Sequence, residues 1–244
     1  MRTAIILQAR LGSSRLPEKV IKPILNRSMI ELQLERLLRV KEAQEVILAT
    51  TNNPKDDILC DIANSLNINF FRGSEHDVLN RFYGAANAYK VNHVVRCNAD
   101  CPLIDPLVVD TVIRHYKVNY PKFDYVSNIL KPSYPIGMHT EIFSFGTLSD
   151  ANSNSIDPLE REHVTPYIYR RPNLYSIYNV CDVRDRSGYR LTVDYEIDFE
   201  VIKKIYESLY PSNSMFGMNE IIDYLDNHPE IRNLNSHIEK SSTV

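Results

Sequence analysis

Thr3-Ala4-Ile5-Ile6-Leu7 is an uninterrupted apolar run, and a polar loop follows it directly: Gln8-Ala9-Arg10-Leu11-Gly12-Ser13-Ser14-Arg15-Leu16-Pro17-Glu18-Lys19. A short apolar run bounded by polar residues is typical of a strand buried at the centre of a sheet. The loop carries three cations, one glycine and two serines. Backbone amides, hydroxyls and cations in such a loop can hold a polyphosphate. The alternative interpretation is a solvated basic loop.

This loop matches neither of the two common phosphate-binding motifs. Val20 follows Lys19 where a Walker loop needs Ser or Thr, and Glu18 stands where that motif needs glycine. Gly12 is the single glycine of the loop, so a dinucleotide-binding fingerprint is absent as well. The functional interpretation therefore depends on the position of the loop directly after the first strand.

Strand and helix patterns alternate from this first run to about residue 128. Further apolar runs predict strands at 45–50, 68–71, 93–97 and 124–128. Capping signals predict helices between them, at 28–39, 53–66, 77–89 and 105–118. The alternation predicts an α/β fold with a Rossmann-like, doubly wound and mostly parallel sheet. Ligands of such sheets bind at the carboxyl ends of the strands, near the switch point of the strand order.

The pattern changes after residue 130. It predicts strands at 141–145, 174–182 and 190–193, the last returning to the sheet, and helices at 160–169 and 197–209. The polar residues 237–244 are expected to fray. We expect a single domain over residues 1–244.

Charge and composition exclude several classes of function. The 28 Lys and Arg residues against 31 Asp and Glu residues give a net charge of −3, so we expect no nucleic-acid partner. No apolar run approaches the length of a membrane span, and Arg10 and Arg15 make the first run a poor secretory signal. The four cysteines are expected to be reduced thiols of a cytoplasmic protein, and the spacing of Cys97 and Cys101 does not predict a zinc site.

Two aspartates that end predicted strands are candidate magnesium ligands. Asp100 follows the strand at 93–97, and Asp194 follows the strand at 190–193. Mg²⁺ prefers one or two carboxylates together with phosphate oxygens and water. Nearby Asp105 has a sufficient structural role as the cap of the helix that begins at Pro106. Two strand-ending aspartates so far apart in the sequence could converge on one cation, and the alternative of two separate structural carboxylates stays open at this point.

An ordered set of motifs gives the chain a specific resemblance. The motifs are residues 8–17, quoted above, and then Ala49-Thr50-Thr51-Asn52-Asn53-Pro54, Phe71-Arg72-Gly73-Ser74-Glu75-His76-Asp77-Val78-Leu79, Asp100-Cys101-Pro102-Leu103-Ile104-Asp105-Pro106, Arg161-Glu162-His163-Val164-Thr165-Pro166-Tyr167-Ile168 and Arg190-Leu191-Thr192-Val193-Asp194. In these motifs and in their order the chain resembles the SpsF-like cytidylyltransferases, which are relatives of the CMP-Kdo and CMP-sialic acid synthetases. The resemblance covers nearly the whole chain.

This resemblance implies a nucleotidyltransferase fold, similar to that of GT-A glycosyltransferases. It implies an enzyme that transfers CMP from CTP to an acidic sugar or a related anion and releases pyrophosphate, with Mg²⁺ as cofactor. The products of such enzymes serve surface polysaccharide or glycan biosynthesis. It further implies a homodimer, with residues 130–185 as an insert for acceptor binding and dimerisation.

The resemblance also implies roles for individual residues. Around the nucleotide these are Ala9 near the base, Gly12, Ser13, Arg10, Arg15 and Lys19 on the phosphates, and Arg72, Ser74, Asp77 and Arg81 over cytosine and ribose. Asp100 and Asp194 would hold the metal, and with Arg10 and Lys19 they are the predicted catalytic residues. The acceptor would contact Tyr134, His139, Glu141, Glu162 and His163. Structural alternatives are surface ion pairs for Arg72 and Arg81, and helix stabilisation for Glu162 and His163.

Three departures from the family pattern bear on geometry and on the acceptor. Glu18 and Ala99 stand where glycine is usual, and His139-Thr140 replace an aspartate-valine pair in the implied acceptor wall. Two other functions stay open. One is a metal-dependent glycosyltransferase with a nucleotide-sugar donor, although Asn98-Ala99-Asp100 carries only one of the two aspartates usual there. The other is a non-catalytic nucleotide-binding protein.

Overall fold

The computed structural model describes residues 1–238, so most of the segment predicted to fray lies outside the described residues. Its main sheet consists of β1 (Thr3–Gln8), β4 (Glu45–Thr51), β5 (Asn69–Gly73), β6 (His93–Asn98), β7 (Tyr125–Ser127), β8 (Glu141–Ser144) and β9 (Ile177–Asn179). A small hairpin of β2 (Pro23–Ile24) and β3 (Arg27–Ser28) follows the first loop.

The helices are α1 (Met29–Leu37), α2 (Asp57–Ser65), α3 (Val78–Ala88), α4 (Pro106–Asn119), α5 (Phe145–Asn154), α6 (Pro158–His163), α7 (Pro166–Tyr169), α8 (Glu196–Leu209), α9 (Met218–Asn227) and α10 (Pro229–Arg232). Two of these helices begin at capping signals that the sequence analysis identified. Ser28 and Glu31 form a capping box at α1, and the Asp105 side chain caps α4 before a proline at its first position.

The strand order of the main sheet is β5-β4-β1-β6-β8-β7-β9. β4 and β6 flank β1 in parallel, and β8 alone in this sheet runs against its two neighbours. The predicted α/β fold with a doubly wound, mostly parallel sheet is therefore confirmed. The chain order reverses between β1 and β6, so the loops after these two strands form the switch point where ligands bind.

Two hydrophobic layers cover the sheet. On β1, Ile5 and Leu7 face the layer that holds α1, α4 and α8, whereas Ala4 and Ile6 face the layer that holds α3, α5 and α7. All four side chains are fully buried. A strand buried on both faces reads as a continuous apolar run, which explains the opening of the sequence.

The structure corrects the predictions made beyond residue 130. Residues 190–193 form no strand, because their pairing consists of a single bridge between Ile136 and Arg190. The predicted helix at 160–169 is two short helices, α6 and α7, since Val164 between them takes a φ of +71°. The predicted strand at 174–182 shortens to β9, and α5 and α9 were not predicted.

The segment 130–185 contributes two strands of the main sheet. β8 lies between β6 and β7, and β9 forms the edge of the sheet beside β7. Helices α5 and α6 pack against α3 on one face. No helix within residues 1–238 combines the length and the apolar character that a membrane crossing requires.

Candidate active site

A cleft of about 700 Å³ opens at the carboxyl ends of β1 and β6. Most of the residues predicted for the site line it: Ala9, Arg10, Gly12, Ser13, Arg15, Lys19, Arg81, Asp100, Tyr134, His139, Glu141, Glu162, His163 and Asp194. They come from distant parts of the chain, and the switch point between β1 and β6 is what brings them together.

The first loop is held in shape by its own backbone and by a buried carboxylate. The amides of Ser13 and Glu18 donate to the carbonyl of Leu11, at 2.8 and 3.1 Å, and the amide of Leu11 donates to Asp56 at 2.8 Å. Asp56 lies on the turn after β4 and is 2% exposed. The loop therefore presents its cations from a fixed backbone.

Glu18, a departure from the family pattern, has a φ of +57°. Residues with a side chain pay about 1–2 kcal/mol for this left-handed conformation, whereas glycine adopts it freely. The structure thus explains why glycine would suit this position, and this chain places a strained residue there. Ala99, the second departure, is buried and has no left-handed backbone.

Lys19 lies between the two candidate metal ligands. Its Nζ is 3.6 Å from Asp100 Oδ2, 3.6 Å from Asp194 Oδ1 and 2.5 Å from the carbonyl oxygen of Val193. The two carboxylates thus share one ammonium group, although they follow strands or turns far apart in the sequence. Backbone contacts create this pairing, because the amide of Val193 donates to the carbonyl of Asp100 at 2.8 Å.

Asp194 is further fixed by two arginines. Arg15 Nη2 contacts Asp194 Oδ1 at 2.6 Å, and Arg190 Nη2 contacts Oδ2 at 3.0 Å. Arg190 in turn forms a two-pronged ion pair with Asp198, at 2.8 and 3.0 Å. Asp198 is fully buried and also accepts from the backbone amide of Asp194. This network aims the Asp194 carboxylate at the cleft.

The same cleft is also lined by a buried ion pair that the sequence analysis predicted only in part. Glu141 on β8 was predicted, but its partner Arg96 on β6 was not. Glu141 also accepts hydrogen bonds from the hydroxyls of Tyr125 and Thr165, both at 2.6 Å. A usable signal was present: Arg96 and Asn98 are polar residues at alternating positions of a strand that otherwise reads as apolar.

Two histidines stand beside this ion pair. Burial lowers the pKa of His139, a departure from the family pattern, and the charges of Glu141 and Asp100 only partly oppose that shift. Burial likewise lowers the pKa of His163, with Glu162 opposing and Arg96 assisting the shift. Both imidazoles are therefore neutral at neutral pH.

Arg81 contributes a further buried positive charge. It lies on α3, is 2% exposed, and donates to the carbonyl of Ser74 at 2.6 Å. Burial, together with the charge of Arg10, lowers the pKa of Arg81 to about 10, so the group stays charged at neutral pH.

Three of the predicted nucleotide-binding residues do not line the cleft. Arg72 donates to the carbonyls of Thr51 and Asn53, both at 2.9 Å, and contacts Asp57 at 2.6 Å. The Ser74 hydroxyl accepts from the amide of Asp77 at 3.1 Å. Asp77 caps α3 and contacts Arg161 at 2.7 Å. Each of the three has structural partners in this conformation.

The site is suited to a hard divalent cation. Asp100 and Asp194 supply carboxylate oxygens that each lie 3.6 Å from the same ammonium group, and the side chain of Asp100 is 30% exposed. Residues 1–238 contain no group of three or more metal-binding side chains, so phosphate oxygens and water would have to complete the coordination. That sharing of ligands is what Mg²⁺ prefers.

Comparison with known proteins agrees with this geometry. Residues 4–221 match the sequence profile of the family described as cytidylyltransferase. The spore coat polysaccharide biosynthesis protein SpsF of Bacillus subtilis is 30% identical over 232 residues, which span 92% of this chain and 94% of SpsF.

Solved structures show the same fold. A cytidylyltransferase from Leptospira borgpetersenii serovar Hardjo-bovis superposes with a TM-score of 0.91 at 31% identity, covering 95% of this chain and 97% of that one. A CMP:2-keto-3-deoxy-manno-octonic acid synthetase complexed with CTP superposes with a TM-score of 0.65 at 16% identity, covering 85% and 99%. The chain therefore belongs to the cytidylyltransferase family, and within it to the SpsF-like enzymes.

Proposed function

We propose that the enzyme transfers CMP from CTP to a hydroxyl group of an acidic sugar or a related anionic acceptor, for surface polysaccharide or glycan biosynthesis. The observation that carries the proposal is the position of Lys19, whose Nζ lies 3.6 Å from both Asp100 and Asp194 beside the cationic first loop. A triphosphate and a divalent cation need this combination of charges in one place.

The reaction is an in-line displacement at the α-phosphorus. The acceptor oxygen forms a bond to this phosphorus, the bond from the phosphorus to the oxygen of the β-phosphate breaks, and pyrophosphate leaves while the hydroxyl proton passes to solvent. Catalysis of this kind depends on positioning and on charge neutralisation rather than on a covalent residue.

Different residues contact the phosphates, the base and the metal ion in this mechanism. Arg10, Arg15 and Lys19 bind the phosphates, and the backbone around Gly12 and Ser13 shapes the loop that carries them. Ala9 lies against the base, while Arg81 and the segment with Arg72, Ser74 and Asp77 stand on the nucleotide side. Asp100 and Asp194 would hold Mg²⁺, which would neutralise phosphate charge and lower the pKa of the attacking hydroxyl.

The acceptor contacts a second set of residues in the proposed mechanism. These residues also line the cleft: Tyr134, His139, Glu141, Glu162 and His163. Because both histidines are neutral at neutral pH, they act as hydrogen-bond donors or acceptors for hydroxyl groups rather than as charges.

Pyrophosphate release tests the proposal. The wild-type chain, incubated with CTP, Mg²⁺ and a panel of sugar acids and phosphonates, is expected to release pyrophosphate with at least one acceptor. Asp100→Asn is expected to lower that rate by about 100-fold or more, since it removes a ligand charge at the reacting centre. Asp223→Asn, an exposed change on α9, serves as the matched control. Turnover of nucleotide sugars in place of CTP would contradict the proposal.

We also propose a cytoplasmic homodimer that pairs through residues 130–185. Five large apolar side chains of this segment are exposed: Ile156, Leu159, Leu174, Tyr178 and Val183. Exposed apolar side chains on one segment are suited to an interface with a second copy. Light scattering coupled to size exclusion is expected to give twice the mass of the chain, and a monomer at micromolar concentration would reject the dimer.

A further inference from the structure

Arg96 occupies an unusual position for an arginine. It lies on β6, paired in register with Ile6 of β1 at the centre of the sheet, and it lines the cleft. The residue is 9% exposed. Burial acts to lower the pKa of Arg96, but the charge and the hydrogen bond of Glu141 outweigh it, and the pKa lies above the ordinary value. Arg96 therefore brings a permanent charge to the floor of the cleft.

Glu141 fixes Arg96 without saturating it. The contact uses Nη1 of the guanidinium group. The Nε of Arg96 is buried and has no hydrogen-bond partner. A buried N–H without a hydrogen-bond partner destabilises the folded protein by about 1–3 kcal/mol, so a ligand that supplies an acceptor to Nε would gain binding free energy. The Tyr125 and Thr165 hydroxyls both donate to Oε1 of Glu141, and its Oε2 contacts Nη1 of Arg96, so in this structure both oxygens of Glu141 are engaged by other groups than Nε.

Other arginines of the chain use the same edge for oxygen acceptors. Arg190 places Nε and Nη2 on the two oxygens of Asp198, at 2.8 and 3.0 Å. Arg161 places the same two nitrogens on one oxygen of Asp77, at 3.0 and 2.7 Å, whereas in Arg36 and Arg72 they meet pairs of backbone carbonyls. In Arg96, Glu141 contacts Nη1, and the corresponding Nε–Nη2 edge makes no contact with Glu141. The geometry of this edge matches a carboxylate in two-pronged contact.

We propose that Arg96 binds the carboxylate of the acceptor through its Nε–Nη2 edge and so determines that the acceptor is an acid. This proposal rests on the proposed function of the cleft. The position of Arg96 agrees with it, because Arg96 lines the same cleft as Asp100 and His163. An acceptor held by its carboxylate at Arg96 directs the rest of the molecule toward Asp100.

The test uses variants of the full chain that separate charge from shape. Arg96→Lys keeps the charge and the pairing with Glu141 but removes the two-pronged edge. The double variant Arg96→Gln with Glu141→Gln removes the buried pair without leaving an unpaired charge. Arg36→Lys is the control, because Arg36 is also a buried arginine, and its Nε and Nη2 donate to carbonyls outside the cleft.

The ligands are pairs of molecules that differ only in the carboxylate. 3-Deoxy-manno-octulosonate and a sialic acid are compared with their carboxamides, and a phosphonate serves as a third arm. Calorimetric titration gives affinity without turnover, and pyrophosphate release from CTP gives the KM values and kcat.

For wild type we expect an acid to bind at least about 10-fold more tightly than its carboxamide. Arg96→Lys is expected to weaken binding of the acid by about 10- to 100-fold and to leave the carboxamide and the KM for CTP within about twofold. Arg36→Lys is expected to leave the preference for the acid unchanged.

Several outcomes overturn the assignment of Arg96. These are equal affinity of wild type and Arg96→Lys for the acid, an equal loss for acid and carboxamide, a preference for the phosphonate or the carboxamide, or no binding of any acid to wild type. If acids bind through Arg96 but CTP yields no pyrophosphate, the assignment stands and the proposed function fails. If a neutral acceptor releases pyrophosphate best, cytidylyl transfer stands and the assignment fails.

Discussion

Replacing Asp198 by asparagine tests whether the network behind Asp194 supports both the fold and the site. Asp198 is fully buried and accepts five hydrogen bonds: two from Arg190, one each from the amides of Asp194 and Tyr195, and one from Asn235. Asparagine has the same shape but no charge, and its NH₂ group would face donors. The substitution therefore breaks a buried ion pair while leaving its volume filled.

The expected loss of stability follows from these contacts. Removing one partner of a buried pair costs about 3–5 kcal/mol, and the remaining contact of Arg190 with Asp194 at 3.0 Å offsets part of it. We expect about 3 kcal/mol, which lowers the Tm by about 6–12 °C for a chain of this length. Because Asp194 also loses a backbone anchor, kcat is expected to fall by about 10- to 100-fold, as for other outer-shell ligands of metal carboxylates.

The effect has a defined dependence on pH. Burial alone would raise the pKa of Asp198, but the hydrogen bonds from Arg190, the Asp194 amide and Asn235 lower it below the ordinary value. A depressed carboxyl pKa gives stability that is present above the unfolded pKa of about 4 and is lost as the pH falls through the folded pKa. The gap in stability between wild type and Asp198→Asn must therefore be full at neutral pH and narrow in acid.

Urea unfolding of both proteins, at neutral pH and at about pH 3.5, measures this gap. Asp223→Asn, exposed on α9, is the control for loss of one acidic charge. Coincident unfolding midpoints of wild type and Asp198→Asn at neutral pH would refute the reasoning, and so would a gap that does not change between the two pH values.

Three further predictions concern Gly137, Lys19 and Arg72. Gly137 has a φ of +103°, and a Cβ there would lie 2.6 Å from the carbonyl of Leu191. Gly137→Ala is therefore expected to lower the free energy of unfolding in urea by about 3 kcal/mol. In the control Gly188→Ala the new Cβ has no atom within 4 Å, and the expected loss is less than about 0.5 kcal/mol. Lys19→Met removes the cation that lies between the two aspartates, so Mn²⁺ in the absence of CTP is expected to bind about 10-fold more tightly while the KM for CTP rises. Electron paramagnetic resonance measures the Mn²⁺ affinity, and weaker Mn²⁺ binding would contradict this prediction. Arg72→Gln is expected to change the KM for CTP by less than about threefold, because Arg72 contacts structural partners outside the cleft, and a larger rise measured by pyrophosphate release would favour the role implied by the family resemblance.

The first half of the fold was predictable because local signals and tertiary structure agree there. The apolar run at 3–7 is buried on both faces, so its composition identifies it as a central strand. The capping box at Ser28 and the caps before Pro54 and Pro106 give helix starts that match the structure. Each of these signals lies within a few residues of the element that it predicts.

The second half depends on contacts that local patterns do not encode. β8 lies between β6 and β7 and is antiparallel to both. The alternation of strands and helices in the sequence does not predict an antiparallel strand at this position. The end of α6 depends on Val164, a β-branched residue at a φ of +71° that no propensity predicts. Residues 190–193 have the composition of a strand, but within the part of the chain that the structure describes their β pairing is limited to one bridge, between Arg190 and Ile136.

The same limit explains what could be predicted of the site. Asp100 follows β6 directly, so its place at the switch point follows from the strand that precedes it. Asp194 has no such strand. It reaches Asp100 because Val193 and Thr192 donate to the carbonyl of Asp100, at 2.8 and 3.1 Å, and because Arg190 is bridged to Ile136. Gly137 permits that bridge by leaving room for Leu191. The proposed site needs both carboxylates in one place, and their meeting depends on a glycine that contacts neither of them. A substitution that weakens the packing of residues 136–137 against residues 190–191 is therefore expected to lower activity as well as stability.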